Sequence, residues 1–271
     1  MPQVDLLKQK FERLNNNKKC GFISFITAGD PDFQTSYKIL ENLPNCGVDI
    51  IELGMPFSDP MADGPVIQKA NDRALKNNMN LKKTFKLVEK FRRKNRETPI
   101  ILMGYYNPIH NFGINNFIKE IKKNKINGVI VVDLPPEEDE ELCIPILKNK
   151  IHFIKLATPT TNKDRFKKIT KNSSGFIYYI SITGITGANY NSNKKVKSEI
   201  KNLKKYTNLP VAVGFGIKNK NDIKKLSKTA DAIVVGSSII KKVEDALKKK
   251  YNKKKLINNV LQYVKSLTSA L

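Results

Sequence analysis

The sequence predicts an α/β fold: a closed (β/α)8 barrel of the TIM-barrel type with an extra N-terminal helix, one domain over residues 1–271. Three observations carry that expectation. Eight short apolar, β-rich runs alternate with segments of helical periodicity, the rhythm of a parallel sheet under helices. Runs such as GVIVVDL, PVAVGFG and AIVVGSS are apolar on both faces, as strands buried on both sides require, and no two-residue hairpin signal joins any pair. An open doubly wound sheet would carry a Gly-rich dinucleotide loop directly after its first strand, whereas that strand ends here in TAGDP.

The elements follow in order. The opening MPQVDLLKQKFERL has the apolar spacing of a polar amphipathic helix and lacks the apolar stretch of a signal peptide. Strands are predicted at Phe22–Ala28, Val48–Leu53, Ile100–Tyr105, Gly128–Asp133, His152–Ala157, Phe176–Ser181, Val211–Phe215 and Ala232–Gly236. Helices fit at Phe33–Asn45, Val66–Lys76, Leu81–Arg93, Glu138–Leu147, Asp164–Thr170, Val196–Tyr206, Asn221–Lys228 and Val243–Leu267. NNNKK at Asn15 and NKKKL at Asn252 mark polar joints, and no internal repeat or linker divides the chain.

The 271 residues carry a net charge of +24, from 43 lysines and only six arginines among the basic residues. That excess makes nucleic-acid binding a class to test. The C-terminal lysines alternate with an apolar stripe through Val243, Ala246, Leu247, Ile257, Val260, Leu261 and Val264, which is the pattern of solvated outer helix faces. With Trp absent, arginine scarce and no Cys/His zinc spacing, no nucleic-acid partner is expected. Cys20, Cys46 and Cys143 are odd in number and form no CxxC pair, which fits a reducing compartment. No run approaches the roughly 18 apolar residues of a membrane helix. The expectation is a soluble, cytoplasmic protein without a membrane partner.

In such a barrel, catalytic groups project from the C-terminal ends of the strands and the loops after them. The most informative stretch is VDIIELGMPFSDPMADGP, Val48–Pro65. Glu52 stands in an otherwise apolar strand, where burial would raise its pKa and make it an acid and base; alternatively it points to solvent or pairs with a lysine. Asp63, eleven residues further on, sits in a Pro- and Asp-rich loop able to fold back over the barrel mouth. Asp59 and Asp63 could equally cap the helix that begins near Val66.

A second cluster gathers at the ends of strands six, seven and eight: SITGITGANY, VGFGIKN and VVGSSII. Three glycine-rich strand ends, with a helix N-terminus after Gly236–Ser237, make a cradle for a phosphate. Thr183, Gly184, Thr186 and Gly187 give the sixth loop the small residues a lid requires. Phe25, Tyr105, Tyr178 and Phe215 fall at strand ends and could hold a flat apolar group, although barrel aromatics are commonly core. His110, read as a loop residue after Asn107–Pro108, and His152, at the opposite end of its strand, are not candidates for the base. No metal constellation stands out. Asp133, Asp139 and the run Glu137–Glu141 read as a helix N-terminus favoured by its dipole, with Asp133 a possible supporting residue.

The segment IELGMPFSDPMADG, Ile51–Gly64, resembles the signature of the tryptophan synthase α-subunit family. The likeness continues through FITAGDP, ILMGYYNPI, SITGITGA, VGFGI and VVGSS, so that essentially the whole chain is covered. The resemblance implies retro-aldol cleavage of indole-3-glycerol phosphate to indole and glyceraldehyde 3-phosphate, with no cofactor and no metal in this subunit. It implies Glu52 as acid and base, Asp63 as the carboxylate for the indole N–H, and Phe25 and Tyr178 as indole contacts. Thr186 and Gly187 match the closing loop, and Gly216, Gly236 and Ser237 the phosphate cradle. The implied partner is a pyridoxal-phosphate β subunit in an α2β2 assembly, facing Pro56–Pro60 and the segment around Asn107–Pro108. Ile185 and Asn189 depart mildly from the family pattern. Another phosphate-binding barrel, an indole-glycerol-phosphate synthase or a phosphoribosyl isomerase, would lack the ELGMPFSDP loop and use a catalytic lysine or an Asp pair, with Lys155 the one lysine to suspect. A basic binding module without activity is the alternative from a different class.

Overall fold

The computed structural model describes residues 5–181, 191–214, 216–217 and 219–271, with only the backbone of 191–195. Eight parallel strands close into one barrel in sequence order. They are β1 (Gly21–Thr27), β2 (Ile50–Gly54), β3 (Ile100–Gly104), β4 (Gly128–Val131), β5 (His152–Ala157), β6 (Ile177–Ile180), β7 (Val211–Gly214) and β8 (Ala232–Val235). Each lies within two residues of its predicted bounds at either end, because runs that are apolar on both faces have one place to go: between a barrel interior and a layer of helices.

Alternation along the strands sorts the side chains. Ile23, Ile50, Ile101, Ile130, Ile154, Ala212 and Val234 fill the barrel interior, and the opposite parity packs outward. The N-terminal helix α1 (Leu6–Asn16) plugs the bottom: Leu7 and Phe11 join that inner cluster, and the Phe11 ring lies 5.7 Å from that of Phe176. Asp5 caps α1 by accepting from the Lys8 N–H, and its carboxylate also meets the His152 ring at 2.9 Å. His152 is thus committed to the closed end of the barrel, as expected from the sequence.

The helices around the barrel are α2 (Phe33–Asn42), α3 (Pro65–Lys76), α4 (Leu81–Arg92), α5 (Tyr106–Phe112), α6 (Ile114–Lys123), α7 (Cys143–Lys148), α8 (Lys163–Lys171), α9 (Asn191–Leu203), α10 (Lys220–Leu226), α11 (Ser237–Lys248) and α12 (Lys253–Thr268). Four readings of the sequence are corrected. The helix expected over Glu138–Leu147 is only α7, because Pro145 lacks an N–H and its ring would clash with the carbonyl of Glu141, so a helix can start no earlier than just before it. The acidic run therefore is not a helix N-terminus: it makes a short 3-10 turn at Pro136–Glu138, and Asp139 is buried. The stretch after β3, read as loop, is helical as α5 and α6, and His110 lies within α5; Pro108 sits in the first turn, where a proline is tolerated. The single helix expected over Val243–Leu267 is two, broken where Lys250 takes φ 52 and Asn252 caps α12 by accepting from the Lys255 N–H.

Candidate active site

The C-terminal ends of the strands open on a cavity of about 620 Å3, a size suited to a small molecule. Every strand contributes to its wall, through its own residues or those just beyond its end: Phe25, Glu52, Met103, Val132, Leu156, Tyr178, Gly216 and Val234 in turn. The wall is mostly apolar, and the few polar groups stand out against it.

Glu52 shares the inward parity of Ile50 on β2, and its register neighbours are Phe25 on β1 and Ile101 on β3. It is 1% exposed, and neither carboxyl oxygen has a hydrogen-bond partner. The solvent-facing or lysine-paired alternative is thereby excluded. Burial, reinforced by the charge of Asp63, pushes its pKa up to about 8. The group is therefore a neutral acid at neutral pH, on the cavity wall and without a hydrogen-bond partner.

Asp63 is brought to the same cavity by the loop after β2. Its backbone N–H closes a turn onto the Pro60 carbonyl, and Gln68 on α3 donates to its carbonyl at 2.8 Å. It does not cap α3: that helix is entered through Gly64 without a side-chain cap, and Pro65 takes the first helical position. The carboxylate instead accepts from Asn71 Nδ2 at 3.2 Å and lies within hydrogen-bonding reach of the Tyr105 hydroxyl. Desolvation raises its pKa to about 6, against the pull of those two donors, which leaves it mainly ionised at neutral pH. Asp59, by contrast, accepts from its neighbour Ser58 and is not a wall residue.

Phe25 and Tyr178 both line the cavity. Gly54 and Gly214 make room for them, since a Cβ on Gly54 would stand 2.7 Å from the Phe25 ring and one on Gly214 2.7 Å from Tyr178 Cε1. Burial and the two carboxyls keep the Tyr178 hydroxyl firmly protonated. Tyr105 departs from the expectation. It is not a wall residue; its hydroxyl accepts from the Ala62 N–H at 3.0 Å and its ring packs 5.4 Å from that of Phe57, so it holds the Asp63 loop in place.

Gly216, Gly236 and Ser237 line the same cavity, and α11 begins with Gly236 as its cap and no side chain competing for its first N–H groups. Thr186, Gly187 and Phe215 lie outside the described residues.

Asn71 was not singled out from the sequence. Its signal was available: with Ala70 and Ala74 it forms the buried stripe of α3, and an amide on an apolar stripe needs a partner. Asp133 accepts from the Tyr106 N–H at 2.8 Å, so it anchors the start of α5 and stands off the cavity wall. Lys155 has the outward parity of Phe153, and its ammonium is paired with Asp139 at 2.6 Å between barrel and helices, away from the cavity. That removes the lysine a synthase-type barrel would need. Among the described residues no group of His, Cys, Asp and Glu is arranged to hold a metal, and no helix is long and apolar enough to cross a membrane.

Comparison with known proteins agrees with this geometry. The profile of the family described as tryptophan synthase alpha chain matches residues 11–269. Among solved structures, tryptophan synthase subunit alpha from Legionella pneumophila str. Paris superposes with a TM-score of 0.91 at 33% identity, covering 99% of this chain and 98% of that one. A protein from Aquifex aeolicus VF5 matches at 34% identity and TM-score 0.88, over 99% of both chains. Tryptophan synthase from Mycobacterium tuberculosis matches at 25% identity and TM-score 0.86, over 99% of this chain and 98% of that one. With two unlike carboxyls and the strand-end residues Gly216, Gly236 and Ser237 on one barrel cavity, and the family profile matching residues 11–269, the chain belongs to the tryptophan synthase alpha chain family, lyases that cleave indole-3-glycerol phosphate to indole and glyceraldehyde 3-phosphate and hand the indole to a beta subunit.

Proposed function

We propose that Glu52 and Asp63 carry the cleavage. The observation behind this reading is that two carboxyl groups line one cavity and their burial pushes their pKa values apart, to about 8 and about 6, so that one is protonated and the other ionised near neutral pH. Glu52 delivers its proton to C3 of the indole, leaving the ring positive at nitrogen. The Glu52 carboxylate then takes the proton of the glycerol C3′ hydroxyl. The C3–C3′ electron pair returns to the ring as indole, and the C3′ carbon becomes the aldehyde of glyceraldehyde 3-phosphate. One proton enters and one leaves, so Glu52 ends as it began. Asp63 accepts the indole N–H and balances the charge that grows there, an interaction strongest in the transition state.

Phe25 and Tyr178 flank the ring, and Tyr105 and Asn71 keep Asp63 in position. Gly216, Gly236 and Ser237 receive the phosphate, and the family resemblance gives Thr186 and Gly187 the role of closing loop. The partner in this reading is a pyridoxal-phosphate β subunit in an α2β2 assembly in the cytoplasm. The loop after β2 supports it: Met61 is 79% exposed there, an apolar side chain available to a partner surface.

The test is indole release from indole-3-glycerol phosphate, with and without an added β subunit. Glu52→Gln should abolish release while glycerol 3-phosphate still binds, and Asp63→Asn should be similarly inactive yet folded. A Glu52→Gln enzyme that kept most of its turnover would remove Glu52 from the chemistry.

A further inference from the structure

The cavity extends past the cradle to Lys241, Lys242 and Asp245 on α11 and Tyr263 on α12. These two adjacent lysines are not equivalent. Lys241 is neutralised by Glu244 at 2.9 Å and Asp245 at 3.0 Å, and Glu244 is held further by Lys248 at 2.8 Å and Lys69 at 3.9 Å. Lys242, half-buried, has no carboxylate among the described residues; its ammonium rests 4.8 Å from the centre of the Tyr263 ring.

Helix geometry says where that charge can go. Lys242 is four residues beyond Ser238, on the same face and about 6 Å further along the axis. Helical side chains lean toward the N-terminus, so its four-carbon stem leads back over the first turn of α11, toward the end of the cavity lined by Gly216, Gly236 and Ser237. Turning to an anion would part Lys241 from two carboxylates, whereas Lys242 would leave a single ring face.

We propose that Lys242 is a specificity-determining residue for the phosphate end of the substrate: among the described residues lining the cavity it is the lysine without a carboxylate partner, it brings a mobile positive charge to Gly216, Gly236 and Ser237, and it selects the dianion. This rests on reading the Gly216, Gly236 and Ser237 end as the phosphate site. Binding of the phosphate draws the Lys242 ammonium from Tyr263 to the anion, and no proton or covalent bond is moved.

The experiment uses the full chain and glycerol 3-phosphate, by calorimetry and by 31P titration, beside the kinetics of indole release. In Lys242→Met and Lys242→Gln the Kd for glycerol 3-phosphate and the KM should each rise about tenfold, the worth of one charge-assisted contact. In both, kcat should stay within about twofold, because the contact is made equally in ground and transition states. The bound phosphate should also titrate at a higher pH than in the unaltered protein. Lys242→Arg should restore the affinity, and Lys249→Met, on the exposed end of the same helix, should change nothing. An unchanged Kd in both Met and Gln variants, or a fall in kcat with Kd unchanged, would overturn the proposal. If the unaltered protein bound no glycerol 3-phosphate, the phosphate reading of the cradle would itself be wrong, a failure separate from that of Lys242.

Discussion

In the proposed reaction Glu52 concentrates the chemistry in one proton. Its two oxygens find no donor, and the walls beside it are hydrocarbon and aromatic ring, so the neutral form is favoured and the pKa is pushed up to about 8. With Asp63 at about 6, the working form has Asp63 ionised and Glu52 protonated, so kcat/KM should rise with pH through about 6 and fall through about 8. These are properties of the pair, and a profile flat from about pH 5 to 9 would remove the carboxyls from the rate. The same burial acts on stability. A carboxyl whose pKa is raised by folding costs nothing below the unfolded value near 4.5 and destabilises increasingly as pH climbs toward 8. Glu52→Gln should therefore lose less Tm between pH 5 and pH 8 than the unaltered protein, as scanning calorimetry would read. The type and place of Glu52 were legible from an apolar strand interrupted by one acid; its lack of partners was not, because that depends on what seven other strands put beside it.

At the scale of elements, the strands were readable and the helix boundaries less so. Apolar runs on both faces leave strand limits little freedom, whereas helix limits turn on single residues: Pro145 and Pro108, tolerated only in a first turn, and Lys250, whose positive φ separates α11 from α12. The strands also set the cavity through their glycines. A methyl on Gly54 would stand 2.7 and 2.9 Å from Phe25 ring atoms, and that ring is already packed against Gly236. Gly54→Ala should lower stability by about 1–3 kcal/mol by overpacking and push the ring into the cavity, raising KM for indole-3-glycerol phosphate. A variant with normal KM and normal Tm would show that Phe25 has room to retreat.

The whole molecule stays closed through devices that lie away from the site. The α1 plug covers the barrel bottom, and the Lys155–Asp139 pair ties β5 to the segment before α7, with Asn172 donating to the same carboxylate at 2.9 Å. Both partners are nearly buried, so removing one leaves the other charged and dry. Asp139→Asn should cost about 3–5 kcal/mol and lower Tm by about 10 °C, while Lys155→Met with Asp139→Leu should recover most of it. A single variant with unchanged Tm would mean that water already reaches the pair. The +24 charge, meanwhile, is a property of the surface and leaves the barrel as it is.

The sequence by itself determined the barrel and its strands, because periodicity and patterning are local, and it marked one acid in an apolar strand and another in the loop after it while leaving solvent-facing and helix-capping alternatives open. Only the tertiary structure decided which groups share a cavity: that Asp63 leans on Asn71 and Tyr105 and does not cap α3, that Lys155 faces outward to Asp139, and that Lys242 is left with a ring where Lys241 has carboxylates. The reason is physical. Burial and ion pairing are set by neighbours that are distant in the chain, and a pKa or a partner exists only once the barrel has closed around it.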